Sequence, residues 1–153
     1  MKRLFLMVAF VAALFVQTSF AQDNSPLLQS YYAIKDALVA GNSNLASKGA
    51  EGLVVALNKT DAKTLGKAEK VGLLKVTGQI ASSKDIKVQR ETFADLSDKI
   101  IALSKKAKLS ADPVYVQYCP MKKSSWLSNE EAIKNPYYGS SMLSCGKVTE
   151  VLR

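Results

Sequence analysis

Four sulfur-bearing side chains near the carboxyl end are the residues of this sequence with the clearest chemistry. Cys119 and Met121 stand two positions apart in "YCPMKK", and Met142 and Cys145 stand three positions apart in "SSMLSCGK". Pro120 restricts the backbone, so the first two side chains can face one side of a bend. Residues three apart are neighbours on a helical turn. If the two pairs meet in space, two thiolates and two thioethers form a soft ligand set that selects Cu(I) and, by the same logic, Ag(I).

The two cysteines also admit simpler interpretations. The chain has only two of them, and cysteines of exported proteins commonly pair in a disulfide. A Cys119–Cys145 bridge would stabilise the tail by about 3.5 kcal/mol in a chain-entropy model. Met121 and Met142 would then be ordinary fillers of gaps in the core. A third interpretation gives the sulfurs neither role, and spacing alone leaves all three open.

The absence of histidine from the whole chain narrows the chemistry further. It removes the usual general base for a serine or cysteine nucleophile. It also excludes histidine-containing zinc sites and the blue-copper ligand set of two histidines and one cysteine. A zinc site would need four strong ligands, and two cysteines do not supply them. No carboxylate pair stands out in an apolar setting, so the sequence predicts that the protein is not an enzyme.

The amino-terminal residues indicate export. Two basic residues precede an apolar run over 4–16, and the small residues of "SFA" follow at 19–21. This pattern predicts a signal peptide at 1–21 and a single exported domain at 22–153, periplasmic or secreted. The apolar run is shorter than the roughly 20 residues that cross a bilayer, so no stable membrane insertion is expected after cleavage.

The net charge of +8 comes almost entirely from lysines that are spread along the chain. Nucleic-acid binding favours basic residues that cluster beside stacking aromatic side chains. Scattered lysines are typical of solvated helix faces. The sequence therefore predicts no nucleic-acid partner.

Apolar residues recur at helical spacing in four segments of the first two thirds of the chain. The fourth is the clearest, because its apolar positions alternate at intervals of three and four residues: Phe93, Leu96, Ile100, Leu103 and Ala107. We expect helix caps at Ser25, at Asn42 or Ser43, at Thr60, and in a capping box from Ser82 to Asp85. Short links between the segments predict a mainly α fold, an antiparallel four-helix bundle over about 26–108.

The tail over 113–150 changes character at Pro113. The alternating "VYVQYC" predicts a short strand, and Ser128 with Glu131 three positions on predicts the cap of a short helical turn. The sequence therefore predicts that an irregular, short-strand extension follows the helical bundle and carries the Cys/Met motifs. Trp126 and its neighbouring tyrosines are expected to shield a metal site or, in the disulfide alternative, to form a docking surface.

Segments of the tail and of the first helix resemble the bacterial domain of unknown function numbered 3347, over about residues 27–150. The matching segments are "YYAIKDALVAGN", "VYVQYCPM" and "WLSNEEAIKNPYYGSSMLSCG". Members of that family are exported, and they also occur at the end of periplasmic adaptor subunits of copper/silver efflux systems, which implies heavy-metal handling. The positions that match the family pattern are Cys119, Met121, Trp126, Asn135, Pro136, Tyr137, Tyr138, Gly139, Met142 and Cys145.

Residues and resemblance together lead to one hypothesis and one alternative. The hypothesis is an exported domain that binds Cu(I) or Ag(I) through Cys119, Met121, Met142 and Cys145. It would sequester the ion or pass it to a periplasmic metal-efflux component. The alternative is a non-metal module for protein interaction or ligand binding, with a structural Cys119–Cys145 disulfide.

Overall fold

Four α-helices followed by three β-strands make up residues 25–153, the part of the chain that the structure, a computed structural model, describes. The helices are α1 (Pro26–Val39), α2 (Ser43–Lys59), α3 (Lys67–Ser82) and α4 (Ile86–Lys106). The strands are β1 (Val114–Cys119), β2 (Ser124–Ser128) and β3 (Lys147–Leu152), with a short 3₁₀ helix at Gly139–Met142 before β3. The predicted mainly α fold is confirmed. The predicted signal peptide at 1–21 lies outside the described residues.

Two helices begin at the predicted caps. The Ser25 hydroxyl accepts a hydrogen bond from a backbone N–H in the first turn of α1, and the Asn42 side chain does the same for α2. Each bond satisfies one of the N–H groups that a helix leaves unpaired at its start. Local side-chain chemistry therefore determines where these helices begin.

The other two predicted caps are wrong. Asp85 caps the start of α4, because its carboxylate accepts the backbone N–H of Lys87, while Ser82 is the last residue of α3. Thr60 ends α2, because its hydroxyl donates to a carbonyl one turn earlier, and Gly66 precedes α3. In both cases a hydroxyl residue that suits a helix start is used at a helix end.

Each helix packs mainly against its neighbour in sequence. Helices α1 and α2 approach closely at Gly49, where an added Cβ would lie 3.0 Å from the backbone nitrogen of Ile34. The antiparallel bundle topology stays a prediction. Among residues 25–153, no helix combines the length and apolar character that crossing a bilayer requires.

The tail is more ordered than the sequence predicts. The strand expected at "VYVQYC" is confirmed as β1, which pairs antiparallel with β2 on one side and β3 on the other. The extension consists of short strands, as predicted, and is less irregular than expected because β2 and β3 complete a three-stranded sheet with β1. The predicted helical turn at Ser128 is also wrong: Ser128 ends β2, and its hydroxyl accepts the backbone N–H of Glu130.

Aromatic side chains attach this sheet to the helices. The Tyr31 hydroxyl of α1 accepts the backbone N–H of Leu127 in β2 at 3.1 Å and shares a hydrogen bond with Ser97 of α4 at 2.7 Å. The Tyr31 ring stacks on Phe93 with centroids 5.1 Å apart, and Phe93 lies 6.0 Å from Tyr137. Helices and sheet thus share one hydrophobic core.

Candidate metal centre

The strand register brings the two cysteines together. Strands β1 and β3 run antiparallel, and Tyr118 pairs with Lys147. Cys119, which follows Tyr118, and Cys145, which lies two positions before Lys147, therefore meet at the same end of the sheet. Their Sγ atoms are 3.7 Å apart and not bonded, since a disulfide would place them at about 2.05 Å.

Gly146 makes this approach sterically feasible. Its backbone has a positive φ of 154°, and an added Cβ would lie 2.9 Å from the Trp126 ring and 3.0 Å from the carbonyl oxygen of Tyr118. A side chain would thus push the segment that carries Cys145 away from β1. Glycine at this position therefore permits the close approach of the two segments.

The turn between β1 and β2 surrounds the sulfur of Cys119 with N–H groups. The backbone N–H of Lys122 donates to Cys119 Sγ at 3.4 Å, and the nearby N–H of Met121 lowers the pKa of both thiols. Lys123, with a φ of 57°, closes the turn through its N–H to the Cys119 carbonyl at 2.8 Å. Backbone dipoles therefore converge where a thiolate charge would form.

One buried side chain connects the two cysteine segments. The Asn135 amide nitrogen donates to the carbonyl of Cys145 at 2.7 Å, and the same amide lowers the pKa of the Cys119 thiol. Its oxygen accepts the backbone N–H groups of Tyr137 at 2.9 Å and Tyr138 at 3.3 Å. Asn135 is fully buried, so these bonds have no competition from water. The sequence marked Asn135 only as part of a motif, and no local signal indicated its contact with the cysteines.

The two thiols differ in electrostatic environment. Burial of Cys119 opposes its ionisation, but hydrogen bonds from the Lys122 N–H, the Asn135 amide and the Cys145 thiol outweigh burial and lower its pKa. Burial raises the pKa of Cys145. The adjacent Cys119 sulfur raises it further, because it accepts a hydrogen bond from the Cys145 thiol and repels a negative charge on Cys145. The pair therefore carries one shared proton in the pH range between the two titrations.

This asymmetry predicts a two-step titration of the reduced protein. We expect the ultraviolet absorbance of thiolate to rise once below the usual thiol range, as Cys119 ionises, and once above it, as Cys145 follows. The Cys145→Ser variant should show a single step, the ionisation of Cys119. This step should lie at higher pH than in the wild type, because one hydrogen-bond donor to Cys119 is altered. A single two-proton step at the ordinary thiol pKa in the wild-type protein would contradict the asymmetry.

The methionines flank the thiols in different ways. Met142 ends the 3₁₀ helix, is half-buried, and accepts the Cys145 N–H on its carbonyl at 3.1 Å. Met121 lies at the tip of the β1–β2 turn with 64% of its surface exposed, so its thioether is not enclosed. Within residues 25–153, no three cysteine or carboxylate groups gather in an arrangement that could hold an ion. The fold thus brings the two thiols together, whereas the Met121 side chain is largely exposed.

The aromatic residues around the thiols belong to the core. Trp126 is fully buried and Tyr137 is 5% exposed; their rings meet edge to face with centroids 5.9 Å apart. The alternative prediction places Trp126, Tyr137 and Tyr138 on a docking surface. It is wrong for Trp126 and Tyr137, because their side chains contact protein instead of solvent. Tyr138 alone of the three is partly exposed.

Gly139 fixes the start of the turn that leads to Met142 and Cys145. Its φ is +56°, and an added Cβ would lie 2.5 Å from the guanidinium of Arg90 and 2.9 Å from the carbonyl oxygen of Val39. Arg90 itself donates to the carbonyl of Leu38 at 2.8 Å. The turn is thereby held against the carboxyl end of α1.

Replacing Gly139 with alanine is expected to lower the free energy of unfolding by about 2–4 kcal/mol, from the positive φ and the clash with backbone. Urea denaturation, monitored by circular dichroism, measures this free energy of unfolding. Gly78→Ala is the matched control, because an added Cβ there meets nothing within 4 Å and lies inside α3. Gly78→Ala should leave the free energy of unfolding unchanged or raise it slightly. Equal effects of the two substitutions would contradict the tight packing at Gly139.

One protein-family model matches this chain. The model described as protein of unknown function (DUF3347) matches residues 27–112, more than half of the 153 residues. The chain belongs to this family. The matched range covers nearly all of the four helices and ends before β1, so both cysteines and both methionines of the candidate centre lie beyond it. Searches of curated proteins and of solved structures gave no match.

Proposed function

We propose that the protein binds one soft monovalent ion, Cu(I) or Ag(I), through Cys119 and Cys145. The observation that supports this most is the 3.7 Å separation of the two sulfurs. With metal–sulfur bonds of about 2.3 Å, that separation corresponds to a sulfur–metal–sulfur angle of about 107°. Both thiolates could therefore hold the same ion without a rearrangement of the backbone.

The surroundings of Cys119 favour a thiolate ligand. A metal-bound cysteine must lose its proton, and the N–H donors of Lys122 and Asn135 stabilise the resulting charge. The ligand set contains sulfur and no imidazole, because the chain has no histidine. Soft thiolates select Cu(I) over hard divalent ions.

The thioethers are proposed as weaker, exchangeable ligands. Met142 adjoins the centre through its hydrogen bond with Cys145, and the exposed Met121 stands at the surface beside it. An ion held by two thiolates and a weak surface ligand can be released to a partner with stronger ligands. We therefore propose sequestration, or transfer to a periplasmic metal-efflux component, by an exported protein whose scaffold is an antiparallel four-helix bundle.

Anaerobic titration of the reduced protein with Cu(I), in competition with a chromogenic Cu(I) chelator, tests this function. We expect about one tightly bound Cu(I) per chain, with loss of binding in Cys119→Ser and Cys145→Ser and a smaller decrease in Met142→Leu. Ser144→Ala, an exposed change next to Cys145, is the matched control and should bind as the wild type does. Equal affinity in the wild type and both cysteine variants would refute the proposed ligands.

A structural disulfide is the second candidate, because sulfurs 3.7 Å apart can also close into a bridge with a small movement. It would fix the carboxyl-terminal sheet, with the protein serving as an interaction or ligand-binding module. Intact mass before and after mild reduction distinguishes the candidates. A bridge that persists in reductant favours the structural role.

A further inference from the structure

The two sulfurs of the candidate centre differ sharply in accessibility. Cys119 is completely buried at the end of β1, whereas Cys145 lies in the irregular segment before β3 and is partly exposed. A solute that reacts with the pair must therefore meet Cys145 first. At 3.7 Å, however, Cys119 is close enough to react with whatever becomes attached to Cys145.

The donors around the pair are also unequally distributed. The Lys122 backbone N–H donates to Cys119 Sγ at 3.4 Å, and the Cys145 thiol can share its proton with the same sulfur. Such donors stabilise a thiolate on Cys119 when a bond to that sulfur breaks. A disulfide whose buried sulfur is a good leaving group is readily exchanged, in contrast to a structural bridge.

We propose that Cys119 and Cys145 form a reversible thiol–disulfide exchange site for low-molecular-weight disulfides and thiols, in which Cys145 forms the mixed disulfide and Cys119 resolves it. This activity goes beyond the proposed metal function and does not require a metal. In its oxidised form the pair lacks the free thiolates that an ion would need, so exchange would also control metal binding.

The oxidising reaction balances with a small disulfide as the oxidant. Cys145 transfers its proton to the Cys119 thiolate and then attacks one sulfur of the small disulfide. The small S–S bond breaks, so the attacked sulfur stays on Cys145 as a mixed disulfide and the other sulfur leaves as a small thiolate. Cys119 then loses that proton to solvent and attacks Cys145 Sγ, expelling the second small thiolate and closing the protein disulfide. Two protein thiols are oxidised, and one small disulfide is reduced to two thiols.

The reverse reaction uses the same sulfurs. A small thiolate attacks the exposed Cys145 Sγ, and the bonding electron pair leaves with Cys119 as the stabilised thiolate. A second small thiolate attacks the attached small group, which departs as a small disulfide, and Cys145 takes up a proton. The products are a reduced protein pair and one small disulfide.

Glutathione disulfide is the probe for testing this inference, with intact mass as the measurement. The Cys119→Ser variant should accumulate one glutathione on Cys145, at least about tenfold faster than Cys145→Ser acquires one on the buried Cys119. The wild-type protein should accumulate no adduct and should end with an internal disulfide. In urea, where burial is lost, the two variants should react at similar rates.

Circular dichroism establishes that both variants are folded, and Cys119→Ala replaces Cys119→Ser if a buried hydroxyl disrupts the core. Faster or equal labelling of Cys119 in the folded variants would overturn the assignment of Cys145 as the entry sulfur. A wild-type protein that retains two glutathiones, or that stays reduced, would overturn the exchange site itself. The Cu(I) titration tests metal binding, and the glutathione experiment tests thiol–disulfide exchange. Failure of either experiment therefore does not decide the other proposal.

Discussion

Replacing Asn135 with aspartate is expected to lower the free energy of unfolding by about 3–5 kcal/mol. The substitution keeps an oxygen for the N–H groups of Tyr137 and Tyr138, but it removes the amide that donates to the Cys145 carbonyl and that lowers the pKa of Cys119. It also places a carboxylate in a fully buried position. Urea unfolding of the reduced protein, followed by circular dichroism, measures the loss of stability.

The thiols provide a second measurement for the same variant. A negative charge beside Cys119 disfavours its thiolate, so the first step of the thiolate titration should move to higher pH. Asn129→Asp makes the same chemical change at an exposed position six residues earlier, and it should alter stability by less than about 0.5 kcal/mol. An Asn135→Asp protein as stable as that control would contradict the role of Asn135 in joining the two segments.

Replacing Trp126 with alanine is expected to cost about 3–5 kcal/mol of unfolding free energy, the usual range for removing a large aromatic side chain from a core. The ring is fully buried, meets Tyr137 edge to face and lies directly against Gly146. Its loss therefore opens a cavity beside the Cys145 segment. Circular dichroism is the appropriate measurement, because Trp126 is the only tryptophan of the chain.

Trp126→Phe is the matched comparison for that cavity. Phenylalanine retains an aromatic ring against Tyr137 and removes less volume, so its cost should be clearly smaller than that of alanine. If alanine and phenylalanine were both tolerated with a loss of less than about 1 kcal/mol, the ring would not be packed as described.

The helical part of the fold could be predicted from local patterns. The spacing of Phe93, Leu96 and Ile100 marks one face of α4, and these residues are buried in the structure. Caps were less predictable, because a serine or threonine can bond to the backbone at either end of a helix. Ser25 and Asn42 follow the expectation, whereas Thr60 and Ser82 do not.

The sheet was predicted only where one strand carried a strong alternating pattern. The strand β3 has β-branched residues, Val148, Thr149 and Val151, but most of its positions are exposed and it lacks the apolar alternation of β1. The meeting of Cys119 and Cys145 depends on the register between these strands. Register arises from long-range pairing, so the sequence allowed the contact without determining it.

The contact of Asn135 with both cysteine segments was likewise beyond local prediction. Asparagine before proline indicates a turn, and the structure uses Asn135 in that way through the N–H groups of Tyr137 and Tyr138. Its amide nitrogen, by contrast, donates to the carbonyl of Cys145, 10 positions away in sequence. Only the folded arrangement of turn and sheet determines which acceptors that nitrogen meets.

X-ray absorption spectroscopy at the copper edge, on reduced protein loaded with one equivalent of Cu(I), tests the proposed coordination most directly. We expect a first coordination shell of sulfur alone, and loss of the bound copper in the double variant Cys119→Ser/Cys145→Ser. A shell dominated by nitrogen or oxygen, or the same spectrum from the double variant, would contradict metal binding by the thiol pair.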